Sequence, residues 1–479
     1  MAVAVGIIGA GTSATTFHAP FITEHPSFRL KKFLRTADKL VAGFEAVPVT
    51  DSIASFLPGI DLAVVTTPTH THYELAKACL EAGKHVILEK PMAVSHSQCL
   101  QLCELAGRQQ RLLAVYQNRR WDGDFQLVQQ LLRCGALGRL VEYESHFDRF
   151  RNAVKPGWKE SDLPGSGVLY DLGAHLLDQA LTLFGHPSAL TAHVLNQRQL
   201  PGSDSPDAFT ITLHYKNVQG PPSSTTASGT HTATYPLTAI LRASMLARRP
   251  GPRFLLHGSL GSFEKHGLDV QEGQLRGGLL PTDSGFGVEG PEGYGTLDSV
   301  ALHMPPPAVA ATRPRSAGSA RPPSPAAAPA GAPGAGSSSS SSSSSAAAVD
   351  LGWVQAGMLA HVAKGGGEAP GSSGALVRVA TPRGCWMGFY DEIASILLGD
   401  AAVAVAGPEA SSSAQQKGAP ADASATGADS DADAAAAAEA GGSGGINSRL
   451  SVRPEQAAAV VRLIEAAMQS SKEGRTIQL

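Results

Sequence analysis

The stretch AGKHVILEKPM, Ala82 to Met92, decides how this 479-residue chain is read. Val86, Ile87 and Leu88 form an apolar run without alternation, the pattern of a parallel strand buried on both faces. Glu89 and Lys90 then stand at the carboxyl end of that strand, the edge where open α/β sheets bind ligands. Pro91 disfavours helical angles at Lys90, so the lysine is presented from an extended or turn geometry. A lysine in a strand-to-helix loop is ordinarily a solvated surface group. Its company here makes Lys90 a candidate for chemistry.

Upstream, the apolar run Val3 to Ile8 is followed by GAGTSA, with Gly9, Gly11 and Ala14 in the G-x-G-x-x-G/A register. Such a turn lets a dinucleotide pyrophosphate approach the main chain and meet the amides of the next helix start, at Thr12 and Ser13. More strands are expected at Arg29 to Leu34, Leu62 to Thr66, Val86 to Leu88 and Leu112 to Tyr116. Helical patterns at Tyr73 to Ala82 and Ser95 to Arg108 separate them. The layout predicts a Rossmann-type doubly wound parallel sheet over residues 1–120.

An NAD site places an acidic residue at the end of the second strand, where this chain reads Leu34, Arg35, Thr36. The Arg35 guanidinium and Thr36 hydroxyl suit a 2′-phosphate, which predicts NADP over NAD. Alternatively, Arg35 caps the sheet edge and Asp38 supplies the carboxylate that NAD needs. In TTPTHTH, Thr67, Pro68 and His72 are candidates to border the ribose and nicotinamide, and Thr69 or Thr71 to cap the helix that follows.

Later, GSGVLYDLGAHLLDQALTLFG, Gly165 to Gly185, reads as a helix with Asp171, His175 and Asp178 at i, i+4 and i+7 on one face. A carboxylate one turn before an imidazole can hydrogen-bond a ring nitrogen and support an acid/base role. A metal site is not expected, since two carboxylates and one imidazole lack the usual further histidines or thiolates. From Ala189 on, segments of strand pattern up to Lys265 predict an antiparallel sheet, one face packed on helices and the other free for a partner subunit. Met387 to Leu398 and Pro454 to Ser470 read as closing helices.

The formal charge of −3, with both signs interspersed, leaves no electrostatic footprint for nucleic acid or an anionic membrane. No stretch reaches the roughly 20 apolar residues of a membrane span. The first strand begins almost at Met1, so no leader is expected and the cytoplasm is the expected compartment. Residues 305–348, ending in a serine run, and 407–445 are too rich in Pro, Ala, Gly and Ser to form a core and are read as disordered insertions. A shorter insertion, Gln219 to Thr234, reads as an extended hairpin loop.

With these pieces placed, the chain resembles the glucose-fructose oxidoreductase, inositol dehydrogenase and MocA family, closest to its scyllo-inositol dehydrogenase-like members. The likeness runs through GAGTSATTFHAP, TTPTHTHYELA, AGKHVILEKP, NRRWDGDF, ESHFDRFR, GSGVLYDLGAHLLDQAL, HGSLGSFEKHGLDVQE and SSKEGRTIQL. It implies a Rossmann domain followed by an α/β domain with an open, mostly antiparallel sheet, here 121–304 and 349–479. It also implies a bound nicotinamide dinucleotide and a catalytic Lys, Asp and His, which fall on Lys90, Asp171 and His175. The expected reaction is oxidation of a secondary alcohol on a sugar or cyclitol, or the reverse. His175 would take the hydroxyl proton, Lys90 stabilise the alkoxide and Asp171 orient His175. Asn118, Arg119, Trp121 and His146 are candidates to grip the substrate, and Arg119 and Arg120 could equally form salt bridges across the domain junction. A different reduction on the same scaffold, of a bilin or in dihydrodiol chemistry, and a dinucleotide-binding sensor without turnover are the rival readings.

Overall fold

The computed structural model describes residues 2–36, 40–219, 234–303, 359–362, 375–399 and 445–479. Asp38, residues 220–233, and the insertions expected at 305–348 and 407–445, save Gly445, lie outside the described residues.

In the first part of the chain, apolar runs pair only in parallel. In chain order the elements are β1 (Val3–Ile8), α1 (Ala19–Glu24), β2 (Phe28–Leu34), β3 (Val49–Thr50), α2 (Ile53–Phe56) and β4 (Leu62–Val65). They continue with α3 (His72–Glu81), β5 (His85–Leu88), α4 (His96–Gln109) and β6 (Leu113–Val115). The six strands join in the order β3-β2-β1-β4-β5-β6, which reverses direction between β1 and β4. A crevice at the carboxyl ends of those two strands is where such sheets take a ligand. Successive side chains serve opposite faces. Val5, Ile7 and Val64 join one buried cluster, while Ile8, Val65 and Leu88 join the other.

The second part comprises α5 (Gly123–Arg133), β7 (Leu140–His146), α6 (Ala174–Phe184), β8 (Ala189–Leu195), β9 (Ala208–Gln219), β10 (Thr234–Ser244), β11 (Phe254–Gly258) and β12 (Gly261–Lys265). α7 (Gln271–Arg276), β13 (Gly295–Ser299), β14 (Leu359–Val362), β15 (Ala375–Val379), α8 (Met387–Leu398), α9 (Pro454–Glu473) and β16 (Ile477–Gln478) complete it. Its ten strands run β14-β15-β13-β12-β11-β7-β10-β9-β8-β16, and every pairing but the parallel β7–β10 is antiparallel. Thr234 pairs with Gln219, so residues 220–233 connect two strands of one hairpin. Among the described residues no helix is long and apolar enough to cross a membrane.

The closing helices pack on both halves of the molecule. Phe389, Tyr390, Ile393 and Ala394 of α8 are fully buried in the cluster that also holds Val5, Ile7 and Val64 of the first sheet, with Tyr390 stacked on Phe21 of α1. α9 divides its apolar residues, with Ala457, Ala458 and Val461 on the first sheet's other face and Val460, Leu463 and Ile464 in the second core. A long amphipathic helix carries too many apolar positions for one neighbour, and only the assembled domains show which neighbour each serves. Because Ile393 is completely buried in the first core, Ile393→Ala is expected to destabilise by roughly 2–5 kcal/mol. Denaturant unfolding checks this, and a loss below about 1 kcal/mol would show that α8 is peripheral.

Candidate active site

The carboxyl ends of β1, β4 and β5 meet α6 and the end of β7 around one cleft of about 380 Å³. On the first sheet, Gly9 adopts φ +99, its N–H donates to the Leu34 carbonyl at 3.0 Å, and a Cβ there would stand 2.8 Å from Thr66 Oγ1. Gly11 lines the cleft with nothing within 4 Å of where a Cβ would be, and Thr12 and Ser13 line it beside Gly11. Ala14 is buried behind them. An open glycine at a helix start on the switch-point crevice is a cradle that fits a dinucleotide pyrophosphate.

Ser13 also donates its hydroxyl to Glu89 Oε1. That carboxylate lies 3.1 Å from His18 Nε2, and its second oxygen accepts from the Lys90 N–H at 3.0 Å. Burial would raise Glu89, but the His18 ring, the Lys90 charge and the Ser13 hydroxyl outweigh it and bring the pKa down to about 2. Glu89 is thus an anion tied to Ser13 and His18, on the π-helical turn Ser13–His18 that leads into α1, and to the lysine that follows it. Tyr390 of α8 completes the string, its hydroxyl 2.6 Å from His18 Nδ1.

Lys90 reaches across the domain boundary. Its ammonium donates to the Asp171 carbonyl at 2.7 Å and lies 3.2 Å from Asp171 Oδ1, and Lys159 donates to the same oxygen at 2.7 Å. Burial opposes the charge on Asp171, but the two lysines hold it well below the usual carboxylate range. His175 lies in the same cleft, 6% exposed, its ring stacked on Phe147 at 6.2 Å. Here the expected Asp171–His175 hydrogen bond is corrected: the carboxylate bonds the lysines, and His175 Nδ1 is buried without a partner among the described residues. Two cations outcompete one neutral ring, and the turn bearing Asp171, Leu169–Gly173, is a wider π turn. Burial first, then the Lys90 and Arg119 charges, push His175 well below the ordinary histidine value.

Asp178, on the same face by spacing, leaves the group. Arg120 grips its carboxylate at 2.8 and 2.6 Å. Asn118 and Arg119 line the cleft, and Arg119 is paired with Asp122 and Glu272, each at 3.1 Å. Trp121 is not in the cleft wall, since its ring packs edge-on against Phe389 of α8. His146 is also elsewhere. Along β7 and its extension, Ser145 and Phe147 turn inward, whereas His146 faces a second cavity, held by Glu144 at 2.6 Å and Asp148 at 3.0 Å. One residue of strand parity separates the two faces.

Among the other expected cofactor residues, Thr67 lines the cleft and Pro68 does not. His72 is buried with Nδ1 2.9 Å from the Pro91 carbonyl and Nε2 2.8 Å from the Thr67 carbonyl, so it braces the two loops together. Neither threonine caps α3 by a side chain: Thr71 donates to the Pro68 carbonyl instead, and the Thr69 hydroxyl is buried unpartnered. Arg35 and Thr36 close β2 outside the cleft wall, and Arg35 Nη1 donates to the Leu40 carbonyl at 3.1 Å. Sequence reasoning missed His18, Tyr390, Lys159 and Arg149. Only Arg149 left a signal, by alternation from Phe147.

Two family patterns match. One, described as an oxidoreductase family with an NAD-binding Rossmann fold, covers residues 3–117, and the other, its C-terminal alpha/beta domain, covers residues 129–316. An uncharacterised oxidoreductase of Schizosaccharomyces pombe is 37% identical over 66% of this chain and 85% of its own. The scyllo-inositol 2-dehydrogenase (NADP(+)) IolW of Bacillus subtilis is 36% identical over 62% of this chain and 78% of its own. The solved structure of yvaA from Bacillus subtilis is 28% identical, with a TM-score of 0.66, and covers 100% of this chain and 98% of that one. On these matches the chain belongs to the glucose-fructose oxidoreductase, inositol dehydrogenase and MocA family of oxidoreductases, with an NAD(P)-binding Rossmann domain and a C-terminal α/β domain.

Proposed function

We propose that this protein is an NADP-dependent dehydrogenase or reductase interconverting a secondary alcohol and a ketone on a sugar or cyclitol. The observation that carries the reading is the convergence of Lys90 from the first domain and His175 from the second on the cleft bordered by Gly11. When bound, a nicotinamide dinucleotide supplies or accepts the hydride. The protein's part is to move a proton and to steady charge at the carbinol oxygen.

In the oxidation direction His175 accepts the hydroxyl proton. Its buried, uncharged ring is in the form a base requires. Lys90 donates to the oxygen as negative charge develops there, and Asp171 holds the ammonium in place through its carbonyl and carboxylate. Asp171 therefore positions Lys90 in this reading and leaves His175 to its aromatic neighbour. Asn118 and Arg119 provide polar contacts to the substrate from the cleft lining. Arg35, with Thr36, supplies the charge and fork geometry for the 2′-phosphate, and the NADP-linked IolW supports that choice by analogy. The open face of the second sheet is the surface through which we expect copies of the chain to associate.

Lys90→Ala is expected to lower kcat by roughly 10²- to 10⁴-fold. NADP binding should weaken far less, and a variant with wild-type turnover on a responsive polyol would remove the lysine from the mechanism. Arg35→Ala should raise the Kd for NADP more than that for NAD, measured by fluorescence titration of each cofactor. Equal effects on the two would take Arg35 off the phosphate.

The direction of the His175 shift sets the pH profile. A base whose pKa is depressed stays deprotonated further into acid, so kcat for alcohol oxidation should hold as pH falls through the ordinary histidine value of 6.5 and decline only below it. An acid limb at or above 6.5 would exclude His175 as the base.

A further inference from the structure

We propose that the substrate carries an anionic group, a carboxylate or a phosphate, and that Arg149 binds it beside His175. The inference rests on the alcohol–ketone reading of the same cleft and narrows the substrate class.

Strand alternation places the residue. Beyond β7 the chain keeps its extended course, with the Phe147 N–H donating to the Arg242 carbonyl and the Arg149 N–H to the Ser244 carbonyl, both at 2.9 Å. Phe147, Arg149 and Arg151 therefore fall on the cleft side, and Asp148 on the side of the second cavity. The Arg149 guanidinium lies over the Phe147 ring, 5.2 Å from its centroid, and Phe147 stacks on His175. A cation is thus held on the cleft wall, sharing the Phe147 ring with the proposed base.

What distinguishes Arg149 is that Asp171 and Glu272 act on it only from beyond ion-pair distance. Arg119 pairs with Asp122 and Glu272, Arg151 with Glu160, Arg198 with Asp207 and Glu160, and Arg276 with Glu272. Arg149 is half-buried, yet its side chain makes no hydrogen bond or ion pair among the described residues. Withdrawing a guanidinium from water against an aromatic face, with no acceptor in hydrogen-bond reach, leaves its fork of donors unused. Such a fork matches the two oxygens of a carboxylate or phosphate. Lys90 and Lys159 share the Asp171 carboxylate, and around the whole cleft eight Lys and Arg side chains stand against five carboxylates, so the pocket is positive before substrate enters. The phosphates of a dinucleotide are cared for elsewhere, at Gly11 to Ser13 on the first sheet's edge. That leaves the guanidinium on the second domain for the substrate.

The test is calorimetric titration of the full chain loaded with NADP, using glucose, glucuronate and glucose 6-phosphate at low salt. At least one acid should bind tenfold or more tighter than glucose, and added salt should shrink the advantage. Whichever acid wins identifies the group as carboxylate or phosphate. Arg149→Gln should bring the ratio close to one, and Arg149→Lys should restore part of it, which a folding defect would not do. Equal binding of the three sugars, no binding of either acid, or a preference untouched by Arg149→Gln would overturn the proposal. So would an Arg149→Gln variant that loses NADP affinity in place of the acid preference. Selective acid binding without turnover would keep Arg149 as an anion site and remove the dehydrogenase reading.

Discussion

The contact between Lys90 and Asp171 is the constraint on which the site depends. It joins the carboxyl edge of a parallel sheet to the first turn of a helix in another domain, through both a carbonyl at 2.7 Å and a carboxylate at 3.2 Å. A flexible lysine free at a sheet edge would sample many rotamers, and two acceptors on one residue leave it few. Its neighbour Glu89 is equally restrained, by Ser13, His18 and the Lys90 amide. The two residues at the end of β5 thus set the relation between the glycine turn, the first helix and the second domain.

Charge is distributed around that contact in a way that separates the roles of Asp171 and His175. Asp171 stands between two ammonium groups, and His175 is left with an aromatic neighbour and a buried, unpartnered nitrogen. A buried polar atom without a partner is costly in a finished core. In a cleft wall it is consistent with the ligand-facing role proposed for His175. The same reasoning applies to Arg149, which shares Phe147 with His175.

Much of this was legible in the chain. The unbroken apolar runs announced parallel strands, because strands covered on both faces need no alternation. GAGTSA and EKP marked the two loops that border the crevice. The errors cluster where a local pattern allowed two outcomes. Spacing put Asp171, His175 and Asp178 on one helix face, but Arg120 drew Asp178 away and the lysines drew the Asp171 carboxylate from the imidazole. Trp121 and His146 looked like substrate ligands by residue type. Packing against Phe389 and the parity of β7 put both outside the cleft.

Without reaching the short elements β3, α2, α7, β13, β14 and β15, the sequence by itself determined most of the parallel strands and the longer helices, the glycine turn, and the presence of Lys90, Asp171 and His175 near element ends. Those follow from apolar periodicity and backbone preference, which act over a few residues. The tertiary structure alone decided which charged groups neutralise one another. An ion pair such as Lys90 with Asp171, or a string such as Ser13, Glu89, His18 and Tyr390, joins residues far apart along the chain. No local rule can select a partner at that separation, because the choice depends on which elements share a burial site and on which cation the packed geometry brings within reach of each carboxylate.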